Sequence, residues 1–440
     1  MLREFPILYR LGMNRNQQQN IFGVVLSFYI IMVNMIRVAQ KIRLYPTIEQ
    51  QQQLAKAMGC CRFWWNHALN ICNQTYKETG KGISRTGLNA LLPELKKEYE
   101  WLKTDVYSQS LQQTTLNLSR AFINFFEKRA RYPRFKSKHG KQSVGFPQHT
   151  SIQDNHLKLP KIGSLKAVFD RKYVGKIKTV TITKNSEDKY FASIIYEVEA
   201  CFISSNGNKI LGIDLGIKNF AIVHDGSKTS KYGLPRHIKK HARNLARKQK
   251  KLSRKKLGSK TRQKAKKLVA KVHARISNSR QDFLHKLSRK LTDESKTVIV
   301  ENLHVKGLVR NHKLAKAISD CGWGMFVNFL NYKLEREDKK LVEIDRFFPS
   351  SHICPDCFTQ QPKMDLSIRE WICVNNRCNA HHDRDEAASR NIRAEGIRIL
   401  KTDGAAVSAS GGSVRQDRGR KTKVMQHPAK LETPSSCEVG

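Results

Sequence analysis

Acidic residues are scarce in this sequence. Against 81 Lys and Arg there are only 37 Asp and Glu, so the formal charge is +44 over 440 residues. That imbalance excludes an ordinary metabolic enzyme as the starting assumption. It favours a polyanion as partner, because each Lys or Arg set against a phosphate releases a condensed counterion. A ribosomal-type structural protein or a membrane-surface protein would share the charge. Cysteine is sparse as well: ten residues in the chain, far too few for a disulfide-stapled scaffold, which points to a reducing cytoplasm. Long apolar runs are almost missing. The one at 21–36 (IFGVVLSFYIIMVNMI) follows Arg3, Arg10 and Arg15, falls short of the ~20 residues that cross a bilayer, and has no small-residue cleavage site after it. No stable membrane association is expected, with a signal anchor as the minor alternative. A further reading takes Met35 as the natural start, because the strand-like MIRVAQKIRLYP begins there, and leaves 1–34 as an atypical leader. With 39% apolar and 8% aromatic residues the chain can build cores. Its length suits two to four domains of about 150 residues each, so it is folded and not a disordered basic polymer.

Polar and apolar residues alternate over 38–45, and Pro46 ends that strand. Thr47 and Gln50 then have capping-box spacing, which predicts a helix with Leu54, Ala57, Met58 and Cys61 on one face. Helical spacing continues to about 126, through Trp64 and Trp65, 88–99 and 108–128. Cations, rings and a proline are then interleaved in Arg129, Arg131, Tyr132, Pro133, Arg134, Phe135, Lys136 and Lys138. A solvated loop and a nucleic-acid contact both fit that stretch; Arg134 and Lys136 are its candidate contacts. Residues 143–200 switch to period two, clearest in VTITK and YFASIIYEVEA, with Asn185, Ser186, Glu187 and Asp188 as the turn. This reads as a hairpin within a small sheet or barrel. If the strand at 38–45 joins it, the helical block is an insertion.

Between 236 and 290 Asp282 is the only acid. Arg243, Arg247, Lys248, Lys250, Lys251, Arg254, Lys255 and Lys256 head a run of cations, while Leu245, Leu252, Leu268, Val269, Val272 and Ile276 keep a helical beat. Two helices joined near Gly258 are predicted. A charge run is usually a solvated face, but acids normally neutralise one, and their absence here favours contact with a phosphate backbone. Such contact positions a nucleic acid without reading it. Residues 401–440, rich in Ser, Gly, Lys and Arg, read as a disordered basic tail.

Three carboxylates stand out. Asp214 lies inside the apolar run KILGIDLGIKNFAIV, where a lone charge costs several kcal/mol without a partner; a salt bridge and a metal are both open. Glu301 ends the apolar strand TVIVENL, at the edge where α/β sheets place their ligands. In HHDRDEAASRNI, Asp383 and Glu386 have capping-box spacing, so Asp383 caps a helix and Asp385 is free in its first turn; complementing the helix dipole is the ordinary alternative for it. Three acids from separate segments fit a two-metal hydrolase, in which Mg2+ or Mn2+ ions about 4 Å apart activate water and stabilise the leaving 3′ oxygen. Cys354 and Cys357 enclose two residues, fifteen follow, and Cys373 and Cys378 enclose four. Paired knuckles of this kind grip one structural Zn2+ with no open position, a decayed site being the alternative. His381 and His382 are spare donors.

GIDLG, VIVENL and HHDRDEAASRNI, taken with the cysteine pairs, resemble the TnpB (OrfB) proteins encoded by insertion sequences, relatives of the type V CRISPR effectors. The similarity runs from Ile36 to about Leu400 and includes RLYPT, CCRFWWNHAL, YPRFKSK and REWIC. It implies an RNA-guided DNA endonuclease with α/β, β-barrel and helical parts: a wedge-type β-barrel at 35–46 and 140–205, a helical recognition insertion at 47–139, and an RNase H-like (RuvC) nuclease domain at 206–400 carrying a four-cysteine zinc finger at 350–380. Carried over, the catalytic and Mg2+-binding acids fall on Asp214, Glu301 and Asp385, and the Zn2+ ligands on Cys354, Cys357, Cys373 and Cys378. The implied partners are a guide RNA from the transposon end and target double-stranded DNA bearing a short adjacent motif, engaged by a monomer. The finger would contact the target through Lys363, Arg369 and Trp371. Two departures stand out: the family's usual Asn two residues after the third acid is Ala387 here, and the leader has no counterpart. The alternatives are a nucleic-acid-binding regulator of transposition without nuclease activity, and a strand-transferring recombinase, for which no nucleophilic Tyr or Ser motif is visible.

Overall fold

The computed structural model describes residues 35–199, 207–362, 364–365 and 367–410. The leader, Cys201, Lys363, Cys437 and residues 411–440 lie outside them. The chain divides into two compact units, the first holding residues up to Cys201 with Lys255–Lys271, the second Phe202–Arg254 and Val272 onward. The expected single boundary near 206 therefore misses one segment. Lys255–Lys271 groups with the first unit, where Lys267 ion-pairs with Asp188.

In the first unit β1 (Met35–Tyr45) is followed by α1 (Ile48–Thr79). Both halves of the Thr47/Gln50 capping box are made, and Gly80, at φ 66°, ends the helix in the left-handed region. Short helices α2 (Arg85–Ala90), α3 (Leu92–Glu98) and α4 (Trp101–Thr104) lead to α5 (Ser108–Phe126). The buried faces of α1 and α5 meet around Trp64, whose indole N–H donates to Thr115 Oγ1 at 2.9 Å. Six strands follow: β2 (Gln142–Phe146), β3 (Ser151–Gln153), β4 (His156–Leu159), β5 (Gly163–Val168), β6 (Lys176–Lys184) and β7 (Tyr190–Glu199). With β1 they form one sheet in the order β2-β6-β7-β1-β5-β4-β3. The outer strands β2 and β3 do not pair with each other among the described residues, so the pairing is that of an open sheet and not a closed barrel. β1 is its centre, antiparallel to β7 from Met35↔Glu199 and to β5 at Arg43↔Val168. The β6–β7 turn is held by Asn185 Oδ1, which accepts from the N–H groups of Glu187 at 3.0 Å and Lys189 at 2.8 Å.

The second unit carries β8 (Lys209–Asp214), β9 (Asn219–His224) and β10 (Thr229–Gly233), then α6 (His237–Ser253) and α7 (Lys260–Glu294), the latter running in from the Lys255–Lys271 segment. Gly258, at φ +80°, lies between the two helices. Next come β11 (Ser295–Glu301), α8 (Val305–Leu308), α9 (Ala315–Cys321), α10 (Trp323–Arg336) and β12 (Lys340–Ile344). The sheet order is β10-β9-β8-β11-β12. β11 is parallel to both β8 and β12, whereas β9 and β10 run antiparallel to their neighbours. β8 and β11 are near-continuously apolar, as strands covered on both faces must be. A short hairpin, β13 (Glu370–Ile372) with β14 (His381–Asp383), precedes α11 (Arg384–Ser410). Helix α11 lies directly on the sheet because glycine stands at two contacts. A Cβ on Gly212 would collide with the Ser389 carbonyl oxygen and Arg393, and one on Gly396 with the Ile299 side chain. Residues 401–410, expected to begin the disordered tail, continue this helix.

Candidate active site

Parallel pairing of β8 with β11 runs through Ile213↔Val300, so the next residue of each strand, Asp214 and Glu301, emerges at the same edge. Both are partly buried. Burial, then repulsion from Glu301 and Asp385, pushes the Asp214 carboxyl up to about 7, against the Leu215 backbone N–H and Arg369, which favour its charge. Burial likewise raises Glu301. The third acid sits in the first turn of α11. Asp383 Oδ1 accepts from the backbone N–H of Asp385 at 2.9 Å and of Glu386 at 3.1 Å, capping the helix. Lys231 Nζ holds Asp383 at 3.0 Å and Glu386 at 2.8 Å, so these two acids have other work, while Asp385 faces Arg369 at 3.3 Å. Glu301 and Asp385 thus both lie near enough to Asp214 to raise its carboxyl. The three carboxylates do not form a single-ion cage: the ligand groups whose atoms all lie within 4.8 Å of one another, among the described residues, are Cys354/Cys357/Cys373/Cys378 and Cys354/Asp356/His382.

In the cysteine module Cys354 Sγ is 3.7 Å from Cys378 Sγ, and Cys357 Sγ is 3.5 Å from Cys373 Sγ. Tetrahedral zinc with Zn–S bonds of about 2.3 Å sets sulfurs roughly 3.8 Å apart, so the four thiols fit that ion. Cys373 Sγ accepts from Gln361 Nε2 at 3.5 Å and from the Asn375 N–H at 3.4 Å, donors suited to a thiolate. His382 Nε2 lies 3.2 Å from Cys354 Sγ. Trp371 packs on His382 with centroids 4.7 Å apart and is buried, so its ring is not available to stack on a nucleic acid as expected. Arg369 is half-committed to Asp385 and not simply a target contact. Ala387 is buried against Cys354, Trp371 and Cys373, so its small apolar side chain belongs to the cysteine module. The pairs Arg369–Asp385 and Lys231–Glu386 had no signal in the sequence, since both join segments distant along the chain.

Along α6 and the turn after it, Arg243, Arg247, Lys250, Lys251, Arg254 and Lys256 are exposed and Lys248 and Lys255 half-exposed. None of the eight has an ion pair among the described residues. The aromatic stretch after α5 is an ordered strap. Trp65 Nε1 donates to the Arg134 carbonyl at 3.0 Å, and Asn66 bonds both backbone groups of Lys136, at 3.0 and 2.7 Å. Arg134 projects outward. Lys136 lays its ammonium 3.5 Å from the Trp65 ring centroid, where burial pushes it down to about 8. Of the other buried thiols, Cys60, Cys61 and Cys321 are raised to about 12, 11 and 11, and Cys72 is raised too, all chiefly by burial, as inert core residues are. No helix among the described residues is long and apolar enough to cross a membrane.

Residues 193–312 match a family described as "Probable transposase", OrfB of the IS605 type. Residues 323–392 match the Cas12f1-like TNB domain, and residues 32–81 a family described as a helix-turn-helix domain. That last description does not fit the shape here, where strand β1 and the single helix α1 occupy the segment. A protein of Streptomyces pristinaespiralis, named provisionally as an RNA-guided DNA endonuclease, is 37% identical over 395 residues, 88% of this chain and 94% of its own length. InsQ of Escherichia coli (strain K12), named in the same way, is 29% identical, covering 82% of this chain and 93% of its own. Among solved structures, the Cas12f1 chain of a Cas12f1–sgRNA–target DNA complex superposes with TM-score 0.52 at 12% identity, over 82% of this chain and 99% of that one. The likeness there is one of fold.

Proposed function

The chain belongs to the OrfB family of insertion-sequence proteins, and from that membership we propose that it is a transposon-encoded, RNA-guided DNA endonuclease. Its relatives carry that name, its fold is shared with a chain bound to guide RNA and target DNA, and its charge of +44 suits both partners. The sheet order, with β8, β11 and β12 parallel and β9 and β10 antiparallel, supports reading the second unit as an RNase H-like (RuvC) nuclease with an inserted four-cysteine zinc module. The observation that carries the catalytic assignment is the parallel register Ile213↔Val300, which sets Asp214 and Glu301 at one sheet edge, with Asp385 in the capped first turn of α11 close enough to help raise the Asp214 carboxyl. A site that crowds three acids from two strand ends and a helix start at this cost is one a divalent cation relieves.

Asp214, Glu301 and Asp385 would hold Mg2+ or Mn2+, and Cys354, Cys357, Cys373 and Cys378 would hold Zn2+. When bound, the hard cations supply Lewis acidity to the attacking water and the leaving 3′ oxygen of a phosphodiester. The chain's own contribution is position. The sheet fixes Asp214 and Glu301, the Asp383 cap fixes the turn bearing Asp385, and Arg369 offsets part of the negative charge. The cations from Arg243 to Lys256, with Arg134, hold the sugar–phosphate backbone without reading it. Incubating the purified ribonucleoprotein with a plasmid library and Mg2+ tests this. Linear product from the wild type, lost in Asp214→Ala, Glu301→Ala and Asp385→Ala while RNA stays bound, is the expected result. RNA and DNA binding with no cleavage at all would leave a regulator of transposition instead.

A further inference from the structure

Three loops leave the second unit's sheet at the edge that bears the carboxylates, because β8, β11 and β12 run parallel and end level: Ile213 pairs with Val300, and Glu301 with Ile344. The third of these loops carries an exposed ring. Phe347 stands three residues beyond Ile344 and is 84% exposed. With strands ~4.8 Å apart and ~3.6 Å of reach per residue, its Cα lies within about 16 Å of that of Glu301. A lone exposed apolar residue is ordinary, but this one is held on a braced turn. Asp345 Oδ1 accepts from the Phe347 N–H at 2.8 Å. The next residue, Phe348, packs against Ile299, Ile344 and Ile392, which anchors the loop to the core, and Asn391 Nδ2 donates to the Ser350 carbonyl at 2.8 Å, which ties it to α11. Arg384, the residue before Asp385, donates to Ser351 Oγ at 3.5 Å. The loop therefore runs from the strand beside Glu301 to the turn that bears Asp385, and it leaves the Phe347 ring in water. Cations share this edge. Arg346 on the same turn and Lys218 between β8 and β9 are exposed, and neither has an ion pair among the described residues.

We propose that Phe347 is a stacking platform for the substrate: one base of the strand being cut, within two nucleotides of the scissile phosphodiester, lies on its ring, and Arg346 meets a neighbouring phosphate. Carboxylates with divalent cations grip a phosphate group alone; they leave the strand free to swivel about it. A base laid on a fixed ring supplies a second point of attachment, and holding the reacting phosphorus in line with water and leaving oxygen requires one. Stacking suits the place because every base has an apolar face, so the contact is blind to sequence, as it must be in an enzyme whose target is chosen by a guide. The inference rests on the endonuclease reading and gives that site a substrate-positioning residue.

The test uses the purified ribonucleoprotein and a DNA duplex carrying the sequence it cuts, mismatched around the cut so that strand separation does not limit the rate. Single abasic nucleotides are placed in turn at the two positions on either side of the cut, and single-turnover cleavage is read in Mg2+. In the wild type an abasic nucleotide at one of these positions should slow cleavage about tenfold, the worth of one base on an aromatic ring. Phe347→Leu should show the same loss on the intact strand. In that variant the abasic nucleotide should cost nothing further, because both changes remove one contact. Phe347→Trp should keep the wild-type rate, and guide binding and the melting temperature should be unchanged in both variants, since the ring lies outside the core. Wild-type cleavage indifferent to every abasic position, Phe347→Leu as fast as the wild type, or losses that multiply when the two changes are combined would each overturn the stacking alone. A wild type that cuts no duplex would overturn the endonuclease reading and the stacking with it.

Discussion

Arg369 holds its guanidinium 3.3 Å from the carboxylate of Asp385, and it reaches that position because the hairpin pairing Glu370↔Asp383 brings the cysteine module against the start of α11. The contact links a module that would bind zinc to an acid that would bind magnesium. Arg369 also favours the charged form of Asp214, so one cation serves two of the three carboxylates. Replacing it with alanine removes a competitor for the site. In Arg369→Ala, Mn2+ binding measured calorimetrically above pH 8 should tighten several-fold, and the gain should shrink in high salt as Coulomb terms are screened. Unchanged affinity would mean that the guanidinium and the ion do not share the carboxylate.

Asp214 makes the metal-free protein pH-sensitive in a defined direction. Its ordinary carboxyl value is 3.8 and its folded value about 7, so between those limits the folded chain keeps a proton that the unfolded chain has released. Stability from this group is complete below the lower limit and is lost as pH rises to the upper one, by up to about 1.4 kcal/mol per pH unit. Urea unfolding in EDTA from pH 4 to pH 8 should show that decline in the wild type and a flatter line in Asp214→Asn.

Asp320 is 7% exposed at its side chain and Arg280 17%, paired at 2.9 Å. Removing the acid alone strands a buried guanidinium and the Ile238 N–H. Asp320→Ala should cost roughly 3–5 kcal/mol, and the double change Asp320→Leu with Arg280→Met should cost less than the single one. Equal losses in chemical denaturation would show that the pair's charge is irrelevant to stability.

Gly212 and Gly396 are the points where α11 meets the sheet. A side chain at Gly212 strikes the carbonyl of Ser389, a backbone atom that cannot swing aside, so Gly212→Val should lift the start of α11 and displace Asp385 from Asp214. The expected readouts are a lower melting temperature and weakened Mn2+ binding, both larger than in Gly233→Ala, where a Cβ meets nothing within 4 Å.

Chelation tests the cysteine module. Cys354→Ser, or a zinc chelator, should release one Zn2+ per chain and speed amide exchange over residues 350–385, with β1 to β7 unaffected. Exchange that stays slow after the ion has left would show that packing of Trp371 and His382 suffices.

Local chemistry was legible from the sequence. Thr47 with Gln50 announced α1, Asn185 to Asp188 announced the β6–β7 turn, and the apolar runs ending at Asp214 and Glu301 announced two buried strands, because each signal lies within a few residues of its effect. What escaped depends on partners far along the chain. Trp371 looked like a stacking surface, yet His382 and the thiols enclose it. Lys136 looked like a free cation, yet Trp65 sits beneath it, some 70 positions earlier. The grouping of Lys255–Lys271 with the first unit follows from contacts such as Lys267–Asp188, which no periodicity reveals. Ala387 looked like a flaw at the carboxylates and turned out to face the sulfurs.

The central place of β1 carries a cost in time. It is the first described strand to leave the ribosome, yet its partners β5 and β7 begin only at Gly163 and Tyr190. At about 5–20 residues per second, both of its hydrogen-bonding edges wait on the order of 10 s while the helical block is made and packs. Through that interval the nascent chain offers an unzipped ribbon to any neighbouring strand, and crowded polysomes are where this protein is most exposed to sticking to its own copies.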